Sequence, residues 1–555
     1  MNPANPLIVQ SDRSVLLEVD NPRYDEARDR LAQFAELVKS PEHIHTYRIS
    51  PLSIWNATAA GLQAGEIVNT LAALGKFDLP DALRHEILEL ATRYGRIILD
   101  KDGDQLRLSI AEPNLARQIA HHAKVAPMLA QRLAEGVFRV TLQHRGEIKR
   151  VLTDLGFPVK DLAGYVQGTP LPLALRATAC GGSPFVVRPY QLDAAANFYQ
   201  GGGVEGGCGV VVLPCGAGKT IVGMAVMAKV QTHTLILSAN ITALRQWRDE
   251  LLDKTSLQPD QIAEYSGETK AIAPVTLATY QILTYRPDKT KNFFPHFELF
   301  FKRDWGLIVY DEVHLLPAPV FRITSDLQAR RRLGLTATLI REDGKETDVF
   351  SLVGPKRYDM PWKELEAQQW LAKASCAELR IPMSDADQLE YAIATDRLRF
   401  RIASENPRKT EVITRLLDQH KDDRVLIIGQ YLTQLRTLAK CLQAPLITGQ
   451  TPQKEREQLY SQFRTGAITR LIVSKVGNFA VDLPDANVAI QISGTFGSRQ
   501  EEAQRLGRIL RPKPGSNQAR FYTIVTYNSV EQEFALKRQL FLTEQGYAYR
   551  IENIP

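Results

Sequence analysis

The chain has 555 residues, 44% of them hydrophobic and 23% charged, with 68 basic against 62 acidic side chains and a net charge of +6. That length implies roughly three or four domains, the composition is that of an ordinary globular protein, and the small charge permits nucleic-acid binding without demanding it. The five cysteines (Cys180, Cys208, Cys215, Cys376, Cys441) form no CxxC pair or zinc spacing, no apolar run reaches membrane-spanning length and the N-terminus lacks a signal pattern. A soluble, cytoplasmic protein without a disulfide framework is expected.

Residues 1 to about 95 read as mainly helical. Ala27, Leu31, Phe34 and Leu37 recur at helical spacing within Tyr24 to Lys39. Leu83, Ile87, Leu90, Ala91 and Tyr94 do the same, with Gly95 as a C-cap. The two short apolar runs flanking Asp102-Gly103 predict a β-hairpin. A second small unit spans 105–178. It contains a helical stretch from Glu147 to Leu155 and ends in the linker Thr169-Pro-Leu-Pro-Leu.

From Val187 strands alternate with helices. Val210–Leu213, Leu235–Ser238, Val275–Ala278, Leu307–Tyr310 and Leu333–Thr336 are the strand candidates, and they predict a doubly wound parallel sheet. The alternation then repeats with strands beginning at Arg424, Pro445, Leu471, Asn487 and Phe521. The expected fold class is therefore α/β: two doubly wound parallel-sheet domains preceded by smaller α+β N-terminal domains. Ligands should lie at the carboxyl ends of the strands.

The first strand of the first sheet runs into Pro214-Cys-Gly-Ala-Gly-Lys-Thr220, and an apolar-periodic helix follows. Strand, glycine loop, Gly-Lys-Thr and helix make a P-loop, although Leu213 stands where the strict pattern has glycine. The loop from Pro214 to Thr220 would cradle phosphates with the backbone N–H groups of Cys215, Gly216, Ala217 and Gly218 and with the helix N-terminus. Lys219 would neutralise the β and γ phosphates, and Thr220 would ligate Mg²⁺. Upstream, Arg188-Pro-Tyr-Gln191 is a candidate adenine-side contact, with Gln191 reading a base edge; a lone glutamine is also ordinary surface decoration.

Asp311-Glu-Val-His314 follows an apolar strand. Asp311 would hold Mg²⁺ through water, and Glu312 would orient or deprotonate the attacking water. Thr336-Ala-Thr338, Ser238-Ala-Asn240 and Ala278-Thr-Tyr-Gln281 end other strands, on the rim where a second ligand could lie. In the second sheet domain, Gln504, Arg508 and Arg511 share one helix face. Arginines from a facing domain stabilise the transferring phosphoryl group and are worth roughly 10³–10⁵ in rate, although a solvated basic helix end has the same pattern. Asp482, after the Leu471–Ser474 strand, is placed to line the same cleft.

Together, LPCGAGKT, DEVH, TAT, VGNFAVDLP and QRLGRILR resemble superfamily 2 helicases. Arg341-Glu342-Asp343 is similar to the RED motif of the XPB family, and Tyr47-Arg-Ile-Ser-Pro-Leu-Ser-Ile-Trp-Asn-Ala57 to that family's N-terminal domain. The resemblance implies two RecA-like domains closing on ATP and Mg²⁺, and 3′→5′ movement on DNA, forked or damaged duplex being the expected partner. It implies an accessory domain over 1–104, a damage-recognition-like domain and linker over 105–178, a first RecA-like domain over 179–365 and a second over 366–555. It also implies a thumb-like insertion near 384–405, where Arg397, Arg399, Phe400 and Arg401 would grip a backbone and stack a base; an ordinary amphipathic helix fits the same residues. The reading is an ATP-dependent 3′–5′ DNA helicase acting in DNA repair, a monomer with no membrane association. The alternatives are a double-stranded DNA translocase, or an ATP-gated DNA-binding scaffold for a partner nuclease.

Overall fold

The computed structural model describes residues 2–40, 43–288, 290, 293–328, 330–337, 345–474, 486–494, 507, 517–544, 547 and 549–554. The chain divides into two compact units. One comprises Met1–Glu36, Thr46–Leu213 and Gly218–Met360; the other comprises Pro361–Pro555 with the short segments Leu37–His45 and Pro214–Ala217.

The N-terminal region is mixed rather than mainly helical. It carries β1 (Leu7–Val9), β2 (Ser14–Glu18), β3 (Glu36–Lys39) and β4 (Ile44–Arg48), with helices over Tyr24–Leu31, Pro51–Ala59, Ala64–Leu74 and Asp81–Arg93. The helix expected over Tyr24 to Lys39 stops at Leu31, and Glu36–Lys39 is a strand. Phe34 and Leu37 are both buried, so their spacing satisfied a helix and a turn-plus-strand equally. The second helix shows how closely local chemistry can set a boundary. Ser50 Oγ accepts the Ser53 N–H and Ser53 Oγ accepts the Ser50 N–H, both at 3.0 Å, with Pro51 in the first turn. Two N–H groups that a helix start leaves without partners are thereby satisfied. Trp55 on this helix is buried and donates its indole N–H to Leu90 O at 3.2 Å, joining it to the Asp81–Arg93 helix.

A five-stranded sheet follows. Its strands are β5 (Ile97–Asp102), β6 (Gln105–Ile110), β7 (Leu129–Ala134), β8 (Val137–Val140) and β9 (Val159–Asp161), in the order β7-β8-β6-β5-β9. The predicted hairpin is β5–β6, paired antiparallel from Ile97↔Ile110 to Asp102↔Gln105. A domain boundary at 104/105 would cut this hairpin, so the sheet unit begins at β5 rather than after it. Ile97, Leu99, Leu106, Leu108 and Val140 pack with Ile148 and Leu152 of the Arg145–Asp154 helix. Each such side chain contributes about 1.5–3 kcal/mol by leaving water.

The first large sheet contains β10 (Cys208–Val212), β11 (Thr234–Ser238), β12 (Ile262–Tyr265), β13 (Val275–Thr279), β14 (Leu307–Asp311), β15 (Arg331–Thr336) and β16 (Lys356–Asp359). The order is β12-β13-β11-β14-β15-β10-β16, and the pairings are parallel. All five strands predicted here are present. β10, β11 and β13 are buried along their whole length, which is why they read as unbroken apolar runs. β12 and β16 went unpredicted because they are edge strands: Ile262-Ala-Glu-Tyr and Lys356-Arg-Tyr-Asp carry the charge that edges tolerate.

The second large sheet contains β17 (Lys373–Ile381), β18 (Val425–Gly429), β19 (Leu446–Ile447), β20 (Arg470–Ser474), β21 (Val488–Gln491), β22 (Gln518–Thr526) and β23 (Tyr549–Asn553). Its order is β19-β20-β18-β21-β22-β17-β23. Here β17 and β23 are the additions to the five expected strands. A buried ion pair ties this unit together: Lys409 Nζ lies 2.8 and 2.9 Å from the Glu531 carboxylate oxygens and donates to Ile492 O at 2.7 Å. Among the described residues, no helix is long and apolar enough to cross a membrane.

Candidate nucleotide site

The P-loop forms as its sequence demands. β10 ends at Val212, and Leu213 N–H still donates to Thr336 O at 3.0 Å, which holds the loop's entry against β15. Gly216 and Gly218 have φ of +83° and +81°, a backbone region where a side chain is strained. Gly218 then caps the helix Lys219–Val230, with part-exposed Thr220 as its second residue. Gly218 also lies close against a neighbouring side chain. A Cβ built on it would lie 2.5 Å from Gln191 Nε2. Gln191 is 3% exposed, so it is a buried residue seated on the P-loop rather than surface decoration. Its Oε1 accepts the Arg188 N–H at 3.0 Å, and Arg188 Nη1 donates to Tyr190 Oη at 3.1 Å.

At the end of β14 the two carboxylates have separate surroundings. Lys219 Nζ is 3.1 Å from Glu312 Oε1. Glu312 Oε2 is buried without a hydrogen-bond donor and lies 3.4 Å from His314 Nδ1. His314 Nδ1 in turn meets Thr336 Oγ1 at 2.8 Å, which links the acidic strand end to the first residue of the TAT segment. Burial opposes ionisation of Glu312, but Lys219 and His314 outweigh it and hold the carboxyl below its usual value. Glu312 also has φ +51°, ψ +56°, a conformation costing about 1–3 kcal/mol in a non-glycine residue. Asp311 is the last residue of the strand, and Glu312 follows it in this left-handed conformation.

Asp311 is gripped from three sides. Ser238 Oγ and Trp247 Nε1 both donate to Asp311 Oδ2, at 3.1 and 3.0 Å, and Tyr280 Oη donates to Asp311 O at 3.0 Å. Burial, followed by the Glu312 charge, pushes the Asp311 carboxyl up to about 6. Strand ends that the sequence placed on the rim thus converge on Asp311, Ser238 at its carboxylate and Tyr280 at its backbone carbonyl. Trp247 was not foreseen. Leu244, Trp247 and Leu251 are the buried face of the Ile241–Lys254 helix, and their spacing reads simply as core.

The residues present fit a magnesium–nucleotide. Two left-handed glycines lead into a helix N-terminus, Lys219 supplies a cation, and Glu312 Oε2 is a buried acceptor without a donor. The model for the type III restriction enzyme res subunit matches residues 184–341, and that for the ERCC3/RAD25/XPB C-terminal helicase matches 365–554. A third model, described as a helicase conserved C-terminal domain, matches 7–134. The DNA 3′-5′ helicase XPB of Kineococcus radiotolerans is 54% identical over 98% of this chain and 96% of its own length. Its counterpart in Mycobacterium tuberculosis is 51% identical over 99% of this chain and 98% of its own. The chain belongs to the XPB family. A more distant XPB relative, the general transcription and DNA repair factor IIH helicase/translocase subunit of Antonospora locustae, is 33% identical over 98% of this chain and 81% of its own.

Several residues singled out in the sequence lie outside the described residues: Thr338, Arg341, Glu342, Asp343, Asp482, Gln504, Arg508 and Arg511. The thumb-like segment is described, as the helices Asp385–Ile393 and Asp396–Ser404. The base-stacking role expected of Phe400 does not survive. Its ring is 1% exposed and packs edge-on against Phe534, with centroids 5.3 Å apart. Arg399 is half-buried and donates to Tyr391 O at 3.1 Å and Ala392 O at 2.9 Å, so it joins the two helices. Arg401 pairs with Glu405 at 2.6 Å. Arg397 is exposed and remains a candidate for a DNA backbone.

Proposed function

We propose that this XPB-family chain is an ATP-dependent 3′–5′ DNA helicase whose nucleotide site is built from Pro214–Thr220, Asp311 and Glu312. The observation that carries the reading is the Lys219–Glu312 pair at the mouth of a formed P-loop, 3.1 Å apart, with Asp311 separately held beside it. In this reading Lys219 leaves Glu312 for the β and γ phosphates, and Glu312 is then released to orient water and take its proton at a carboxylate oxygen. Thr220, and Asp311 through water, would hold Mg²⁺, which would neutralise phosphate charge. Gln191, seated on Gly218, fixes the loop from the base side. Arg508 and Arg511 are proposed to complete the charge stabilisation, and Gln504 and Asp482 to line the nucleotide. Arg341, Glu342, Asp343 and Arg397 are proposed to act toward DNA.

The test is strand displacement on forked DNA bearing a 3′ or a 5′ single-stranded tail, with Glu312→Gln as control. Displacement only with the 3′ tail, lost in the variant, is the expected result. DNA-stimulated hydrolysis with no displacement on either fork would replace the helicase reading with a duplex translocase, or with a motor that needs a partner such as a nuclease. The relative from Antonospora locustae carries both helicase and translocase in its name, which keeps the translocase reading in view.

A further inference from the structure

We propose that Trp247 is a positioning residue for the metal-binding carboxylate, its indole N–H holding Asp311 in the orientation that presents Oδ1 to Mg²⁺. The proposal rests on the reading of Asp311 as a metal ligand and adds the group that aims it.

A buried indole N–H needs an acceptor, and in a core of this composition a backbone carbonyl is the usual one. Trp55 and Trp305 follow that pattern, donating to Leu90 O and Leu299 O. Trp247 instead donates to the carboxylate at the end of β14, 64 positions away in the chain. Ser238, the last residue of β11, donates to the same oxygen. Both donors take Oδ2, which leaves Oδ1 for the metal. A carboxylate oxygen receiving two charge-assisted hydrogen bonds has a fixed torsion, so the direction of Oδ1 is fixed too. Tyr280, through Asp311 O, fixes the backbone that carries it.

The other edge of the same indole touches the phosphate-binding helix. A Cβ built on Gly223 would lie 2.4 Å from Trp247 Cη2. Gly223 is one turn beyond Thr220, the other proposed metal ligand. One ring is therefore in contact with the helix that carries Thr220 and with the carboxylate of Asp311. The helix that carries the ring starts at a side-chain cap, Asn240 Oδ1 accepting the Ala243 N–H at 2.9 Å. A tryptophan serving only as core filler needs neither the carboxylate nor the facing glycine.

The experiment is calorimetric titration of ADP into the full chain at a series of Mg²⁺ concentrations, comparing wild type, W247F, S238A and D311N. Partners that orient a metal ligand typically contribute 10–100-fold in metal affinity. W247F, which keeps an aromatic ring but lacks the N–H, is expected to raise the Mg²⁺ concentration needed for tight ADP binding about 10-fold or more. ADP affinity without Mg²⁺ should change less than about twofold, because general damage to the pocket would weaken both. S238A removes the second donor with minimal change of volume and should shift the Mg²⁺ dependence in the same direction, so the proposal stays testable if W247F does not fold. An unchanged Mg²⁺ dependence in S238A and in folded W247F, or an equal loss with and without Mg²⁺, would overturn it. D311N separates this from the parent reading. If D311N keeps Mg²⁺-dependent binding, Asp311 is not the ligand; if D311N loses it while W247F and S238A keep it, only the Trp247 proposal fails.

Discussion

Lys219 and Glu312 form an ion pair, Nζ to Oε1 at 3.1 Å, so the residue proposed to bind phosphate and the residue proposed to activate water neutralise each other. In the proposed reading Glu312 is freed when phosphate takes the lysine. Glu312→Gln should therefore lower the hydrolysis rate about 10²–10⁴-fold while ATP binding is retained or tightened, since Lys219 no longer has a carboxylate to leave. Single-turnover hydrolysis together with equilibrium ATP binding reads both. Retained hydrolysis would remove Glu312 from its role.

Gly218→Ala forces a side chain into a φ of +81° and drives its Cβ onto Gln191 Nε2. The left-handed strain alone costs about 1–2 kcal/mol. Nucleotide affinity should fall at least about fivefold, and adding Gln191→Ala should restore the part that comes from the clash but not the part that comes from strain. Comparing the single and double variants in an ADP binding assay separates the two.

Asp161 accepts from Arg145 Nε and Nη2 at 3.0 and 2.9 Å and lies 2.8 Å from Lys149 Nζ, with all three side chains under 10% exposed. Asp161→Asn would leave two buried cations without a counter-charge, so it should destabilise the fold by about 3–5 kcal/mol at neutral pH. Burial works against ionisation of Asp161, but Lys149 and Arg145 overcome it and hold the carboxyl well below the usual carboxylate range. A depressed folded value stabilises the protein above the ordinary carboxylate pKa of about 4, and that stabilisation is lost as pH falls below it. The gap in thermal midpoint between wild type and Asp161→Asn should be full at pH 7 and shrink below about pH 4.

Phe400→Ala should act on stability rather than on DNA. The ring is enclosed beside Phe534 and Tyr431, and its loss should cost about 3–5 kcal/mol. DNA affinity of the folded variant should be unchanged. Arg397→Ala should do the reverse, leaving the fold intact while weakening DNA binding at all sequences and lowering the salt slope by about one. Urea unfolding and DNA titration at several salt concentrations distinguish them.

The amino-acid sequence by itself determined the elements that are local in character. Val210–Leu213 and Leu307–Tyr310 are apolar because their strands are buried on both faces, and the glycines at 216 and 218 mark a loop whose backbone only glycine adopts without strain. Such signals lie within a dozen consecutive residues, so the P-loop, the acidic strand end and the repeat of the α/β pattern were all legible. Tertiary structure decided the rest. The edge strands β12 and β16 have no apolar run to betray them. Phe34 and Leu37 fitted a helix until pairing made Glu36–Lys39 a strand. The burial of Phe400, the seating of Gln191 on Gly218 and the meeting of Ser238 and Trp247 at Asp311 depend on which strands become neighbours. The order β11-β14-β15-β10 brings together donors and acceptors 64 and 73 positions apart. A hydrogen bond at that separation leaves no trace in local spacing, because the energy that forms it arises only after the sheet has closed the loop between its partners.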